Sequence, residues 1–356
     1  MQNINTKYLN YKSGVFGLTF FTIAAIVILG FPSVTSLGAY NGLKISSNVI
    51  IPALFPFTVV SIFLVKSGGL FIISKTINPV TLKLFGLGGT QFAVIIISLL
   101  GGYPVGAKTI NELKSTNQID EYTAKRLLKH CINPSPAFFI NIVGINVLGS
   151  KTAGVILLLA NGFACIILNI ITFKVKPAKQ NLSQYKKAPL SAAFVESVTE
   201  GAKIIIGISA FVVLFSAVAA VAKNVITSKD FYYAICPFLE ISFGINEVKN
   251  IGISPSLYAF ILSFGGISTI CQIKQAADGI KAGFIYIIWW RIVHGLTATG
   301  IAYILFKLFP ITLQTINNGV MVSMTELPLF LPSAALIIFA TVFLLFINGE
   351  NKKVEE

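Results

Sequence analysis

Apolar and polar positions form long blocks in this chain, unlike the short periods of a soluble domain. Apolar runs of about 17 to 25 residues recur over the whole length, and a run of that length can span a bilayer as an α-helix. Short polar stretches that carry most of the lysines separate the runs. The pattern predicts spanning helices over 14–31, 43–65, 90–107, 152–173, 201–222, 256–272, 284–308 and 328–348.

Three further apolar pieces, 70–86, 134–149 and 231–246, are short or interrupted. We expect them to be re-entrant or interfacial, because irregular backbone at membrane depth must be buried in protein or line a cavity. The stretch 118–131 instead has the helical period of an amphipathic helix in water. Broken and whole apolar helices together predict an all-α, polytopic transmembrane protein with re-entrant segments.

Composition strengthens this prediction. The 356 residues are 55% hydrophobic and 11% charged, with a mean hydropathy of +0.82, whereas a soluble domain is about 25% charged. We therefore expect one integral membrane domain over 1–356. The first run, Val15 to Gly30, is too long for the core of a signal peptide and is kept as a helix.

The net charge of +14 has a topological explanation. Cytoplasmic loops of membrane proteins carry excess lysine and arginine, so we expect the lipid bilayer as partner and no nucleic acid. The cysteines form no CxxC pair, which argues against a disulfide framework or a zinc site. They are Cys131, Cys165, Cys236 and Cys271.

An internal repeat is visible in three ordered matches. "GLKISSNVIIPALF" from Gly42 resembles "GAKIIIGISAFVVL" from Gly201, and "NPVTLKLFGLG" from Asn78 resembles "CPFLEISFGIN" from Cys236. "LGGYP" then pairs with "FGGIS" further along both halves. The predicted division is repeat 1 at about 41–113, a connecting segment at about 114–195, repeat 2 at about 196–281 and C-terminal helices at 282–348.

Loop charges predict how the repeats are oriented. With the lysine-rich "KVKPAKQNLSQYKK" loop in the cytoplasm, helix 43–65 runs outward to inward and 201–222 runs inward to outward. Loop 109–133 then lies outside, while Lys274 and Lys281 lie inside. The two repeats are thus predicted to have inverted topology, which is typical of secondary transporters that bind substrate between broken helices.

The glycine-rich stretch "GGYPVGAKT" is not a phosphate-binding P-loop, because Ala107 separates Gly106 from Lys108. A glycine pair at the end of an apolar half-helix lets the backbone open. The following helix N-terminus then favours an anion. Tight helix packing through small residues is the alternative, and the sequence leaves both open.

Polar residues beside the broken segments complete the candidate site. The "NPSPAFF" stretch offers hydrogen bonds from Asn133 and Ser135, for substrate contact or for helix capping. We predict a substrate site formed by Gly101, Gly102, Tyr103, Pro104, Lys108, Asn133, Ser135, Gly265, Gly266, Ser268 and Gln272.

Three other ionisable residues lie in apolar context. Glu240 is a candidate for ion coupling or, equally, the cap of a re-entrant turn. Arg291 and His294 share a helix face after a Trp-Trp pair, and this pattern favours an interfacial aromatic belt with a snorkelling arginine. The sequence shows no carboxylate pair, Ser-His-Asp set or metal-ligand cluster, so neither an enzyme nor a cofactor is predicted.

The motifs "SLLGGYPVGAKTINEL", "NPSPAFFINIVG", "FLEISFG" and "FGGISTICQ", in this order, resemble the YlbJ-type sporulation integral membrane proteins. These are part of a wider group with nucleoside-recognition (Gate) domains. The resemblance covers about residues 14 to 348. It implies a protein of the bacterial cell membrane, made in the mother cell of a spore-forming Firmicute. It also implies a role in moving dipicolinic acid across the outer forespore membrane.

The function expected from the residues and the resemblance is alternating-access transport of a small anion, with dipicolinate as the expected substrate. One alternative is a nucleoside or nucleobase permease, for which the polar amides would matter more than Lys108. Another is a membrane scaffold for spore-envelope assembly without transport. Direction, energy coupling and oligomeric state stay open at this point.

Overall fold

The computed structural model describes residues 15, 18–19, 21–22, 24–85, 88–172, 189–311, 316–317 and 320–321. The predicted helix 328–348, the "KVKPAKQNLSQYKK" loop and part of 14–31 lie outside the described residues.

The described chain is almost entirely helical. The helices are α1 (Pro32–Ile45), α2 (Ile51–Lys66), α3 (Gly69–Phe85), α4 (Gly89–Gly101), α5 (Tyr103–Ser115), α6 (Glu121–His130), α7 (Lys151–Thr172), α8 (Leu190–Val225), α9 (Lys229–Leu239), α10 (Ile241–Val248), α11 (Leu257–Phe264), α12 (Gly266–Ala276) and α13 (Phe284–Leu308). Wider π-helical turns occupy Ser46–Ile50 and Phe138–Val147, and a 3₁₀ turn occupies Lys249–Ile251. β1 (Ile316–Asn317) and β2 (Val320–Met321) form a two-residue antiparallel ladder.

Five helical stretches of the described chain are long and apolar enough to cross a membrane. They are Pro32–Lys66, Lys151–Thr172, Leu190–Val225, Leu257–Ala276 and Phe284–Leu308. A bent pair, α3 and α4, meets at 101° and would be a sixth span if it crosses as one unit. The protein is therefore a polytopic all-α membrane protein, as the hydropathy pattern predicts.

The predicted amphipathic helix at 118–131 is present as α6. Its start is fixed by Asp120, whose Oδ1 accepts a hydrogen bond from the Thr123 backbone N–H at 2.7 Å. A side chain in this position satisfies one of the unpaired donors at a helix N-terminus.

The predicted span 90–107 is wrong, because the chain reverses there. Gly102 separates α4 from α5, and α5 folds back so that Gly106 packs on Ser98: a Cβ added to Gly106 would lie 2.6 Å from Ser98 Oγ. A straight helix would separate these two residues by about 12 Å. The hydropathy of an apolar run is the same whether the run crosses or turns back, so composition could not reveal the hairpin.

Helices α1 and α2 pack antiparallel on α8. In the middle of α1, Gly38 lies against Ala217 in the second half of α8. At the end of α2, Lys66 lies 3.0 Å from Glu196 near the start of α8. Antiparallel packing of these helices, which contain the Gly42 and Gly201 motifs, is what an inverted repeat requires.

Helices α5 and α12 run side by side in the same direction from their glycine breaks. The Tyr103 hydroxyl donates to the Leu262 carbonyl just before the second break, and Asn111 Nδ2 donates to Asp278 Oδ1 at 2.9 Å beyond the end of α12. If the two repeats were inverted and these helices ran along the membrane normal, α5 and α12 would run in opposite directions, but they run in the same direction. The inverted repeat therefore stays a prediction that only α2 and α8 support.

The predicted placement of 109–133 on the face opposite Lys281 is also wrong. Glu121 Oε1 accepts a hydrogen bond from the Lys281 backbone N–H at 2.7 Å, and the Tyr286 hydroxyl donates to the Lys125 carbonyl at 3.0 Å. Both segments lie at one end of the bundle, because the α4–α5 hairpin returns the chain to it. The lysines of both segments thus gather at one end, as the positive-inside rule expects.

Candidate functional site

The interrupted elements of the fold meet around a small cavity of about 30 Å³. Its wall includes the α4–α5 break, the irregular connection after α6, the α9–α10 junction, and parts of α8 and α12. Both π-helical turns also contribute, through Ile50 and Phe138, and such turns often occur at functional sites. The predicted residues at this cavity are Gly101, Gly102, Tyr103, Pro104, Ser135, Gln272 and the coupling candidate Glu240.

A second, open cavity of about 350 Å³ adjoins the first. Pro104, Ile208 and Gln272 line both. From there the larger cavity extends between α5, α8 and α12, and its volume falls within the range of about 300 to 1,000 Å³ typical of ligand pockets. Its charged and amide lining residues are Lys108, Asn111, Lys203, Gln272, Gln275 and Asp278.

Lys108 lines the larger cavity but already has a partner. Its ammonium forms a salt bridge with Glu200 of α8, and Glu200 also lies 3.2 Å from Lys66. Lys108 is 38% exposed at the side chain, so solvent reaches this pair. An anion could bind Lys108 only in competition with Glu200.

The sequence left two alternatives for Glu240, a cap of a re-entrant turn and a group for ion coupling, and its position bears on both. Glu240 is 1% exposed, it lines the small cavity, and its Oε2 accepts a hydrogen bond from the Phe243 backbone N–H at 2.6 Å. The carboxyl group therefore caps α10. A coupling function for the same group stays a prediction.

Each glycine pair includes a positive φ angle, but the two pairs have different surroundings. Gly102 has φ 85°, lines the small cavity, and would place a Cβ 3.6 Å from the Ser135 backbone nitrogen. Gly265 and Gly266 have φ 83° and 80°, and a Cβ on Gly266 would lie 3.0 Å from the Pro237 carbonyl oxygen. The first break opens onto the cavity, whereas the second serves close packing on the end of α9.

Two predicted residues, Asn133 and Ser268, lie beside the cavities without lining them. The Asn133 backbone N–H donates to Ser98 Oγ at 3.1 Å, and Asn133 Nδ2 lies 3.4 Å from the His130 carbonyl. Ser268 Oγ accepts from Gln272 Nε2 at 3.4 Å. Both side chains are fully buried, so they support neighbouring elements of the site.

The snorkelling interpretation of Arg291 is wrong. Arg291 and His294 are both 0% exposed, and Arg291 donates through Nη1 to the Ile132 carbonyl. The exposed aromatic residue of the preceding pair is Trp289, on another face of α13. The Arg291 face is buried because α13 packs this side on α7, α11 and the connection after α6.

Several cavity residues were missed from sequence. Asn111 and Gln275 each follow a predicted site residue by one helical turn, at three residues after Lys108 and Gln272, so helical spacing could have found them. Lys203 carried no such signal, because it does not follow a predicted site residue by one helical turn.

Comparison with known proteins agrees with the motifs. The chain is 22% identical over 334 residues to the sporulation integral membrane protein YlbJ of Bacillus subtilis (strain 168), covering 81% of this chain and 82% of the relative. This similarity confirms the resemblance to YlbJ-type proteins. No protein-family model matches the chain. No solved structure matches it either.

Proposed function

We propose, from the similarity to YlbJ-type sporulation membrane proteins, that this chain transports a small anion, dipicolinate, across the outer forespore membrane by alternating access. The observation that carries the proposal is the convergence of broken helices on two adjoining cavities. Substrate sites of secondary transporters have this construction, with interrupted helices at the centre of the bundle.

The charge around the larger cavity supports an anionic substrate. Lys108 and Lys203 line it together with one acid, Asp278, whose Oδ1 already accepts from Asn111. The N-terminal end of α5 faces the smaller cavity at Tyr103 and Pro104. A helix N-terminus carries partial positive charge that favours an anion.

The small cavity is too small for the proposed substrate, which supports a mechanism in which the surrounding helices must move apart. About 30 Å³ suffices for one or two water molecules and not for an aromatic dicarboxylate. The anion would enter the larger cavity first and pass Pro104 and Gln272 when the α4–α5 hairpin separates from α8. Alternating access needs such a closed centre between two open states.

The test is uptake of labelled dipicolinate into liposomes that contain the purified full chain. Gln272→Leu should reduce uptake strongly, because it places an apolar side chain where the two cavities join. Gln91→Leu is the matched control: Gln91 is also buried, at 3% exposed, but it lines neither cavity.

Absence of saturable dipicolinate uptake by the wild type would refute the proposal. Competition by uridine as strong as that by unlabelled dipicolinate would instead favour a nucleoside permease. Equal uptake by the Gln272→Leu and Gln91→Leu variants would show that the two cavities are not part of the transport path.

A further inference from the structure

Arg291 is a buried cation with an incomplete set of partners. Its side chain is 0% exposed, and Nη1 donates to the Ile132 carbonyl. Its Nε and Nη2 atoms have no hydrogen-bond partner among the described residues. Within the same ranges, no salt bridge includes Arg291.

This arrangement is costly for the empty protein. A buried donor without a partner costs about 1–3 kcal/mol, and more when the group is charged. Buried charges are normally paired, and an ionisable residue inside the membrane marks a functional site by default. The neighbouring His294 does not supply a counter-charge; its Nδ1 lies 3.5 Å from Nη1.

The two unpaired nitrogens have the geometry of a carboxylate receptor. Nε and Nη2 form one edge of the planar guanidinium, and two parallel N–H groups on one edge match the two oxygens of a carboxylate. The opposite corner, Nη1, is held by the Ile132 carbonyl, so the orientation of the free edge is fixed.

Tyr103 connects this guanidinium to the cavity. Tyr103 lines the small cavity, and the centroid of its ring lies 5.7 Å from Arg291 Cζ. Its hydroxyl donates to the Leu262 carbonyl. Tyr103 directly follows Gly102, where backbone rotation would swing the ring away from Arg291.

The connection after α6 contacts Arg291 and also lines the small cavity. Ile132 accepts the hydrogen bond from Arg291, while Ser135, three residues later, lines the small cavity. Ser135 Oγ is buried without a hydrogen-bond partner in the described chain, and so is Asn133 Oδ1. A bound anion that carries its own polar groups could satisfy these atoms.

We propose that Arg291 binds a carboxylate group of the transported anion, and that Tyr103 is the gate between the small cavity and this site. The inference rests on the proposed function in that the ligand is a small carboxylate. Beyond the proposed function, Arg291 is the residue that would select the ligand by its negative charge. Lys108, paired with Glu200 at the outer cavity, would meet the anion earlier.

The experiment compares thermal stabilisation of the purified full chain by dipicolinate and by its neutral isostere, pyridine-2,6-dicarboxamide. The variants are Arg291→Met and Arg291→Lys. The control is Lys307→Met, which removes an exposed cation from the same helix. In the wild type and the control, dipicolinate should stabilise much more than the diamide.

Arg291→Met should abolish the preference for the dianion while its ligand-free unfolding temperature stays equal or rises, because no ion pair is lost. Arg291→Lys keeps the charge but loses the paired N–H groups. We expect roughly ten- to a hundredfold weaker dipicolinate binding in this variant, the loss of a hydrogen bond to a charged group.

An unchanged preference in Arg291→Met would overturn the proposal and leave Arg291 as a packing residue. If the methionine variant does not fold, unchanged dipicolinate binding by Arg291→Lys would overturn it equally. Arg291-dependent binding without uptake in liposomes would refute transport and keep the carboxylate site. Absence of dipicolinate binding to the wild type would refute both.

Discussion

At the residue scale, Gly102 is held by its backbone angles and not by lack of space. Its φ of 85° and ψ of −177° lie in a region that is essentially restricted to glycine. The nearest atoms to an added Cβ are those of Ser135, at 3.6 Å and beyond, which is ordinary van der Waals contact. Any side chain here is strained, whatever its size.

Gly102→Ala should therefore lower the free energy of unfolding by about 1–3 kcal/mol. Gly300→Ala is the matched control, because Gly300 lies within α13 with no atom within 4 Å of an added Cβ. Alanine in a helix interior should raise the free energy of unfolding by up to about 1 kcal/mol. Unfolding in detergent with increasing denaturant measures both, and equal effects of the two substitutions would contradict the backbone explanation.

Glu240 allows capping to be separated from coupling. Glu240→Gln keeps an oxygen that can accept from the Phe243 N–H, so we expect folding to be retained. It removes the ionisable proton, and dipicolinate uptake should fall if the carboxyl group couples transport. The measurement is uptake over a range of pH, with Glu247→Gln as control for a mostly buried acid that pairs with Lys223 and lines neither cavity. Normal uptake at every pH would leave Glu240 as a cap alone.

At the element scale, charged residues tie three helices together. Glu200 of α8 contacts Lys66 of α2 and Lys108 of α5. These ion pairs attach the α4–α5 hairpin to α8, the helix on which α2 also packs. A ligand that competes for Lys108 would loosen this attachment, and in the proposed mechanism this competition would link anion entry to movement of the hairpin.

Glu200→Gln should free Lys108 and strengthen dipicolinate binding, while Lys108→Gln should weaken it. Because the pair is partly exposed and such pairs are worth about 0–1 kcal/mol, we expect changes of up to about fivefold. Dipicolinate should respond more than the monoanion picolinate in each case. Titration of both ligands on the two single variants and the double variant provides the measurement; additive effects would show that the pair does not control binding.

Hydropathy predicted the elements that depend on local sequence. The long apolar helices, α6 and the interrupted pieces all follow from runs and periods within about 20 residues. The reversal at Gly102 could not be predicted, because it depends on packing of Gly106 on Ser98 and not on composition. The burial of Arg291 depends on a contact with Ile132, far away in sequence, whereas the adjacent Trp-Trp pair favoured the snorkelling interpretation.

The candidate site was predictable in part for the same reason. The glycine motif indicated a helix break, which is a local feature, and Gly101 to Pro104 line the small cavity at that break. Gly266 was expected to face the same space, but it packs on carbonyl oxygens at the end of α9. The two glycine breaks have similar sequences, and only their tertiary contacts decide which of them opens onto the cavity.

At the scale of the whole molecule, the ends of the bundle can be assigned by labelling. Thr116 and Lys281 are exposed at one end, and Asp230 is exposed just beyond the far end of α8. We expect Thr116→Cys and Lys281→Cys to react with an impermeant maleimide from the same side of the membrane, and Asp230→Cys from the other. Cys271→Ser is the background, because the other native cysteines are buried.

Reaction of Thr116→Cys and Asp230→Cys from one side would contradict the packing of α5 along α8. Reaction from opposite sides by Thr116→Cys and Lys281→Cys would restore the original loop assignment and refute the hairpin.

The closed centre of the bundle also determines how the protein affects the energy supply of its membrane. For a protein with the proposed function, a central cavity that admits only a water molecule or two at rest would limit the leak of protons and metal ions while no anion is bound. In the proposed transport, the same tightness would make every passage wait for a rearrangement of packed helices, so the flux would be that of a carrier and not of a pore. If the proposed function is correct, a cell that accumulates a large store of one anion through this protein would need many copies of it or a long period of expression.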